Sequence, residues 1–477
     1  MVRKKIAYIL GFIALFFICF LCFHKIFSFK DGDGSFVMKS FYELEDNSVD
    51  VLILGTSHVF EGINPAILWE DLGVTSYDLC GSMTPMWNSY YYLEEALKKQ
   101  TPQLVILDAF SLVPVFEEFS HASKYIKNTF GLRPSETKIN AIKETTGEEW
   151  VSYALEYMQY HNRYSELSDI DFYPYRNDEP MFGTWLGYAR NYTVLPFEEQ
   201  YYDNQYMCMD LVEKEEEYYR KIITLCQEEE IPLLIIAVPY AGYSEADMYF
   251  MNSGAMIAEE LGVPFVDFNL YRDVLGVDAS TDYADFNHLS YIGSDRFTHY
   301  LARYLAANYV LPTHNKSDAK YMRWNQAYAY YVRDNFNHDI RLVEDVDSYW
   351  NLLHSLPNTY EIIINVPGKY NAENSTNVND MTTDSDNAES STKTTEVWLL
   401  RSGNASLLTE TRYGYYYKKQ LGHNELVVDE NVMLWKREEI QFPSHAGTKV
   451  MVFDVSNQCV VDAVVIEKNV IYRVTEE

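Results

Sequence analysis

At 477 residues the chain is longer than one simple domain usually is, and 47% apolar residues suffice for sizeable cores. Its 70 acidic against 38 basic residues leave a net charge of −32. That argues against nucleic acid as a partner, because holding it requires Lys and Arg to neutralise phosphates.

The first 30 residues carry the clearest physical signal. "MVRKK" precedes "IAYILGFIALFFICFLCF", residues 6 to 23, which holds no charge. Extended by "HKIFSF", this run approaches the ~20 residues needed to cross a hydrocarbon core. Arg3, Lys4 and Lys5 put the N-terminus in the cytoplasm by the positive-inside rule. No small-residue cleavage site follows, so residues 1–30 are expected to be an uncleaved single-pass signal anchor at the cell membrane, with the bulk of the chain extracytoplasmic. Cys19 and Cys22 lie within the span; the other four cysteines show no CxxC or metal spacing, and a bridge between any two of those four stays open.

Residues 49 to 310 then alternate strand and helix patterns. "VDVLILG", "TSYDLCG", "QLVILDAF", "IPLLIIAVPY" and "VPFVDFN" read as strands. Between and after them, "INPAILWEDLG", "PMWNSYYYLEEALKKQ", "DLVEKEEEYYRKIITLCQEEE", "EADMYFMNSGAMIAEELG" and "SYIGSDRFTHYLARYLAANY" read as helices. Strands apolar throughout, separated by helices, predict an α/β domain with a doubly wound parallel sheet over about residues 31–315. A stretch from about 111 to 208 interrupts the rhythm. It holds a helix-like run, "ETTGEEWVSYALEYMQYHNRYSEL", and aromatic loops, and it leaves from the carboxyl end of a strand, where open α/β sheets bind ligands. It is either a substrate-facing cap or a structural insertion. Residues 318–477 read as a smaller sheet-rich α+β accessory domain. Its Asn/Ser/Thr/Asp-rich segment at about 369–395 lacks the apolar residues to offset ordering entropy and is expected to be a disordered loop.

The strand "VDVLILG" runs into Thr56, Ser57 and His58. A serine at a strand end that opens a helix can present its hydroxyl beside backbone N–H groups, but it needs a base within reach to become a nucleophile. The candidate base is His288 in "DYADFNHLSYIG", before the last helix and so on the same sheet edge. Asp285, three residues earlier, can orient the ring and leave its other nitrogen for the serine, the logic of a serine triad. A polar turn and a helix cap are the plain alternatives for these segments. No metal cluster or phosphate-binding loop is evident, and no cofactor is implied.

Gly55-Thr56-Ser57-His58, Gly81 after the second strand and Asp285-Phe286-Asn287-His288 resemble the SGNH (GDSL-type) hydrolase superfamily over about residues 45 to 310. With its single N-terminal span the layout is similar to the membrane-anchored branch that includes the alginate O-acetylation and teichoic-acid D-alanyl transfer proteins. The resemblance implies Ser57 as nucleophile, His288 as base, Asp285 as its orienter, and the backbone N–H groups of Ser57 and Gly81 as oxyanion donors. It departs at the family's Gly-x-Asn-Asp block, where this chain reads "LVILDAFSL" with Asp108 and no asparagine. Losing one oxyanion donor costs ~10²–10³ in rate; Asn88 is one candidate replacement, and a plain helix position the other reading of it.

His58, Tyr240, His161 and Arg163 are further candidates for substrate contact, with structural roles as the alternative. Two functions follow as expectations. One is an SGNH-type O-acyltransferase or esterase acting on a cell-envelope polysaccharide or acylated glycan, with a membrane-bound O-acyltransferase as the partner the resemblance implies. The other is a catalytically inactive SGNH-derived glycan-binding or assembly protein.

Overall fold

The computed structural model describes residues 2–27, 34, 37–114, 125–155, 160, 163–167, 169–172, 185–198 and 206–367, and, beyond these, 394–412, 417–421, 424–429, 432–435, 438–443, 447–456, 459–467 and 469–474. Contacts divide the chain into two units, Met1–Tyr331 and Val332–Glu477.

The first unit opens with helix α1 (Val2–Phe27), of which Tyr8–Phe27 is long and apolar enough to cross a membrane. After α2 (Val37–Glu43) come β1 (Val51–Gly55), α3 (Ser57–Gly62), α4 (Pro65–Leu72), β2 (Ser76–Cys80), α5 (Met86–Leu97) and β3 (Leu104–Asp108). Helix α6 (Glu136–Thr146) lies in the inserted stretch. The chain then returns through α7 (Glu213–Glu228), β4 (Leu233–Ala237), α8 (Glu245–Glu260), β5 (Phe265–Asp267) and α9 (Tyr291–Asn308). The five strands form one parallel sheet in the order β2-β1-β3-β4-β5.

The unbroken apolar strands have their reason in that sheet. Leu52 and Leu54 of β1 pack on one face with α5 and α7, while Val51 and Ile53 pack on the other with α3 and α9. With both faces covered, β1 and β4 carry no polar side chain and lose period-two alternation, whereas β2 buries Ser76 and Asp78 and β3 ends on the buried Asp108. Asn64 caps α4 through Ala66 N at 3.0 Å, and Gly73 closes that helix at φ 69°.

The inserted stretch departs from expectation. The helix predicted over residues 144–167 is broken: α6 ends at Gly147, whose φ of 56° leaves the helical region, and the described residues after it form short helical turns at Gly147–Glu149, Trp150–Ala154 and Arg163–Ser165. Most of its aromatic loops lie outside the described residues.

The second unit begins within α10 (Met322–Asp339), a helix the sequence reading did not anticipate. After α11 (Val346–Ser355), strands β6 (Tyr360–Pro367), β7 (Thr394–Arg401), β8 (Asn404–Arg412), β13 (Thr448–Asp454), β14 (Cys459–Glu467) and β15 (Val470–Arg473) form an antiparallel sheet ordered β15-β14-β13-β6-β7-β8. A smaller sheet joins β9 (Tyr417–Leu421), β10 (Asn424–Val428), β11 (Val432–Trp435) and β12 (Glu438–Gln441). Helix α11 covers one face of the larger sheet through Tyr349, Trp350 and Leu353, and the smaller sheet covers the other through Leu426, Met433 and Trp435. The loop expected at about 369–395 lies outside the described residues, except that Thr394 and Thr395 open β7.

Candidate active site

Strand β1 delivers Ser57 to the carboxyl edge of the sheet. Thr56 caps α3, its hydroxyl accepting from His58 N at 3.2 Å, so Ser57 is the first helical residue. The turn is tight. A side chain at Gly55 would meet Val59 at 2.5 Å and the Asp108 Cβ at 2.8 Å, so only glycine lets β1 run this close beneath α3.

His288 arrives from the other end of the unit, 231 residues away in sequence. Its Nε2 stands 2.8 Å from Ser57 Oγ. Its Nδ1 lies 2.9 and 3.0 Å from the two carboxylate oxygens of Asp285. A carboxylate only accepts, so Nδ1 carries the proton and Nε2 is left to accept from the serine. Asp285 Oδ1 also accepts from the backbone N–H groups of Asn287 at 2.7 Å and His288 at 3.0 Å. Partial burial works against the Asp285 charge, yet the His288 ring and these two donors outweigh it and hold the carboxyl below its ordinary value. The Asp285–His288 loop is pinned in turn: Gly242 N donates to Phe286 O at 2.6 Å, and Ser290 N to Asp282 O at 2.9 Å.

The surroundings are aromatic. His58 is 2% exposed, stacks on Phe110 with ring centres 3.6 Å apart, and meets Tyr240 edge-on at 4.8 Å. Its ring centre lies 5.7 Å from that of His288. Burial, and secondarily the charge His288 can carry, push its pKa well below the ordinary value, so His58 is neutral. Among the described residues its ring nitrogens have no hydrogen-bond partner. Tyr240 is buried as well, and burial together with the Asp247 charge keeps its phenol protonated.

Gly81 follows β2, beside the end of β1. The Asn128 amide occupies the space a side chain at 81 would need, and Asn128 Nδ2 donates to Ser82 O at 3.2 Å. Asp108 ends β3, fully buried. Its Oδ1 accepts from Val238 N at 3.2 Å, and its Oδ2 has no partner among the described residues. Burial pushes its carboxyl up to about 7, so near neutral pH a large share of it is an uncharged acid.

The other candidates stand elsewhere. Asn88 holds the inserted stretch, donating to Tyr125 O at 3.3 Å and accepting from Thr145 Oγ1 at 3.4 Å, so both ends of its amide have structural partners. Arg163 binds Phe27 O at 2.7 Å and pairs with Asp171 at 3.3 Å, at the end of α1. His161 lies outside the described residues. Phe110 and Asn128 went unread in the sequence. Phe110 was findable two residues past a strand end; no spacing points to Asn128.

Chemically, the arrangement is a hydroxyl, an imidazole and a carboxylate in series, able to draw a proton from Ser57 and return it to a leaving group. Among the described residues no group of three His, Cys, Asp or Glu is placed to hold a metal ion. In comparisons with known proteins, no family model, curated protein or solved structure matches this chain.

Proposed function

We propose that the chain is a membrane-anchored, extracytoplasmic serine O-acyltransferase or esterase that modifies a cell-envelope polysaccharide. The observation that carries this reading is the series Ser57–His288–Asp285, with His288 Nε2 at 2.8 Å from the serine oxygen. Ser57 Oγ attacks the carbonyl carbon of an acyl donor as its proton passes to His288 Nε2. Asp285 holds the ring and balances the imidazolium. The tetrahedral oxyanion lies toward the backbone N–H groups of Ser57 and Gly81. His288 then protonates the departing alcohol and leaves an acyl-serine. A sugar hydroxyl or water, deprotonated by the same nitrogen, takes the acyl group and frees Ser57. The SGNH-like motifs and the N-terminal span favour transfer to a glycan, with a membrane-bound acyltransferase supplying the acyl group.

A second reading is an SGNH-derived glycan-binding or assembly protein. Asp108 favours it, standing where an asparagine donor would be expected. Labelling of the detergent-solubilised full chain with a fluorophosphonate, with turnover of an aryl acetate, separates the two. The acyl-enzyme reading requires labelling and turnover by the native chain and neither by Ser57→Ala. A folded native chain as inert as the variant overturns it.

A further inference from the structure

The end of helix α1 is clamped to the first unit. Phe27 O accepts from Arg163 Nη1 at 2.7 Å, and Arg163, largely buried, pairs with the buried Asp171 at 3.3 Å. His24 Nδ1 hydrogen-bonds the Tyr160 hydroxyl, with the rings 5.6 Å apart. The inserted stretch therefore sits at the point where the span leaves the bilayer.

The chain beyond the clamp passes the carboxyl edge of the sheet before it reaches the opposite one. Gly34, seven residues past Phe27 and so within ~25 Å of it, lies against Asn128: a side chain there would meet Asn128 Cα at 2.7 Å. Asn128 in turn fills the place of a side chain at Gly81, on the carboxyl edge. From there α2 descends the flank of β2, its Val37 O accepting from Tyr77 Oη at 2.6 Å. The chain reaches the opposite edge at Asn47, whose N–H donates to Lys99 O.

Three exposed apolar side chains accompany the clamp. Tyr164 (75% exposed) adjoins Arg163, Phe172 (52%) adjoins Asp171, and Leu155 (58%) precedes Tyr160 by five residues. Aromatic and aliphatic side chains next to a span suit the headgroup boundary of a bilayer. Continuity with α1 identifies the lipid as what covers them. The net charge of −32 gives no attraction to an anionic surface, so the contact is apolar.

We propose that the carboxyl edge of the sheet, with Ser57, Gly81 and His288, is turned toward the bilayer, and that Leu155, Tyr164 and Phe172 seat in its headgroup region. The site then takes acyl groups presented at the membrane surface. This last step rests on the acyl-transfer reading. The orientation rests only on α1 as a span.

The test uses the full chain in phosphatidylcholine vesicles, with Cys19, Cys22, Cys208 and Cys459 replaced by serine. A nitroxide is placed by Leu155→Cys, Tyr164→Cys or Phe172→Cys, and by Val310→Cys as reference. Val310 is fully exposed and follows α9, which starts beside His288 and runs ~27 Å to the far edge. A water-soluble nickel chelate should reach the three sites at least about threefold less than Val310, and oxygen should reach them more. Equal chelate access at all four overturns the proposal. Hydroxyl-radical footprinting of the native chain in the same vesicles repeats the test without substitutions: Tyr164 and Phe172 should be protected relative to detergent-free unfolded chain by more than their exposure in the fold predicts. Protection that appears only with an added membrane acyltransferase overturns the lipid contact in favour of a protein one. Depth is read without turnover, so failure here and failure of the acyl-enzyme assay are separate results.

Discussion

The two edges of the parallel sheet carry the same three kinds of group in different orders. At the amino edge Asp50 is a hub. Its Oδ2 accepts from Thr75 N at 3.0 Å, Thr75 Oγ1 at 2.5 Å and His314 Nε2 at 2.7 Å. The His314 ring also stacks on Tyr321 at 4.1 Å. Hydroxyl and imidazole both spend a proton on the carboxylate, so neither activates the other. At the carboxyl edge the groups stand in series, and the serine proton is directed at a ring nitrogen instead. An aspartate, a histidine and a hydroxyl make a clamp or a proton relay according to which atom faces which.

The sharpest way to break the comparison is to remove the histidine on each side. His288→Ala should cut kcat/KM for ester turnover by roughly 10⁴-fold or more, while His314→Ala leaves it nearly unchanged. Steady-state kinetics on both variants checks this. Next, Asp285→Asn should cost about 10²-fold, less than loss of a buried orienting carboxylate, because Asp285 is 50% exposed and water partly replaces it. The same kinetics reads that effect; a loss equal to that of His288→Ala would contradict it.

Asp108 sharpens the contrast through pH. Unlike Asp50 it has no histidine partner among the described residues, and burial raises its carboxyl to about 7 in the folded chain. Between the unfolded value and about 7 the native state binds the extra proton, so this group's contribution to stability falls as pH rises. Asp108→Asn should flatten that fall, by an amount on the order of 2–3 kcal/mol between pH 5 and pH 8, in denaturant titrations at those two values. Asp285 works in the opposite sense. Its lowered pKa gives stability that is present above the ordinary carboxylate range and lost as pH falls through the lowered value. The smallest effect belongs to the clamp: His314→Ala should cost about 1 kcal/mol, seen as a lower melting temperature.

Much of the scaffold was legible because its signals are local. Runs bounded by turns located the five parallel strands, and the run read as α4 ends on Gly73, which closes that helix. Ser57, His288 and Asp285 were legible as a group because each adjoins a strand end or a helix start. The inserted stretch was not. Asn88 and Arg163 have the chemistry of substrate contacts, but Tyr125 O and Phe27 O claim them, and no spacing encodes such long-range partners. In the second unit, β8 with its polar "NASLLTETR" and the aromatic, polar α10 carry too few apolar positions to stand out; pairing with β7 makes the first a strand.

Asp285 and His288 lie three residues apart, in a loop closed on itself by Ala284 N to His288 O at 3.0 Å. Two of the three members are therefore one prefabricated part. Their mutual alignment is a property of a short peptide segment, and the assembly has a single tertiary joint, between His288 and Ser57. On the acyl-enzyme reading, activity should be the most sensitive reporter of that joint: a small shift of α3 against the loop uncouples the serine while the imidazole and carboxylate stay paired, so turnover should be lost before the fold is.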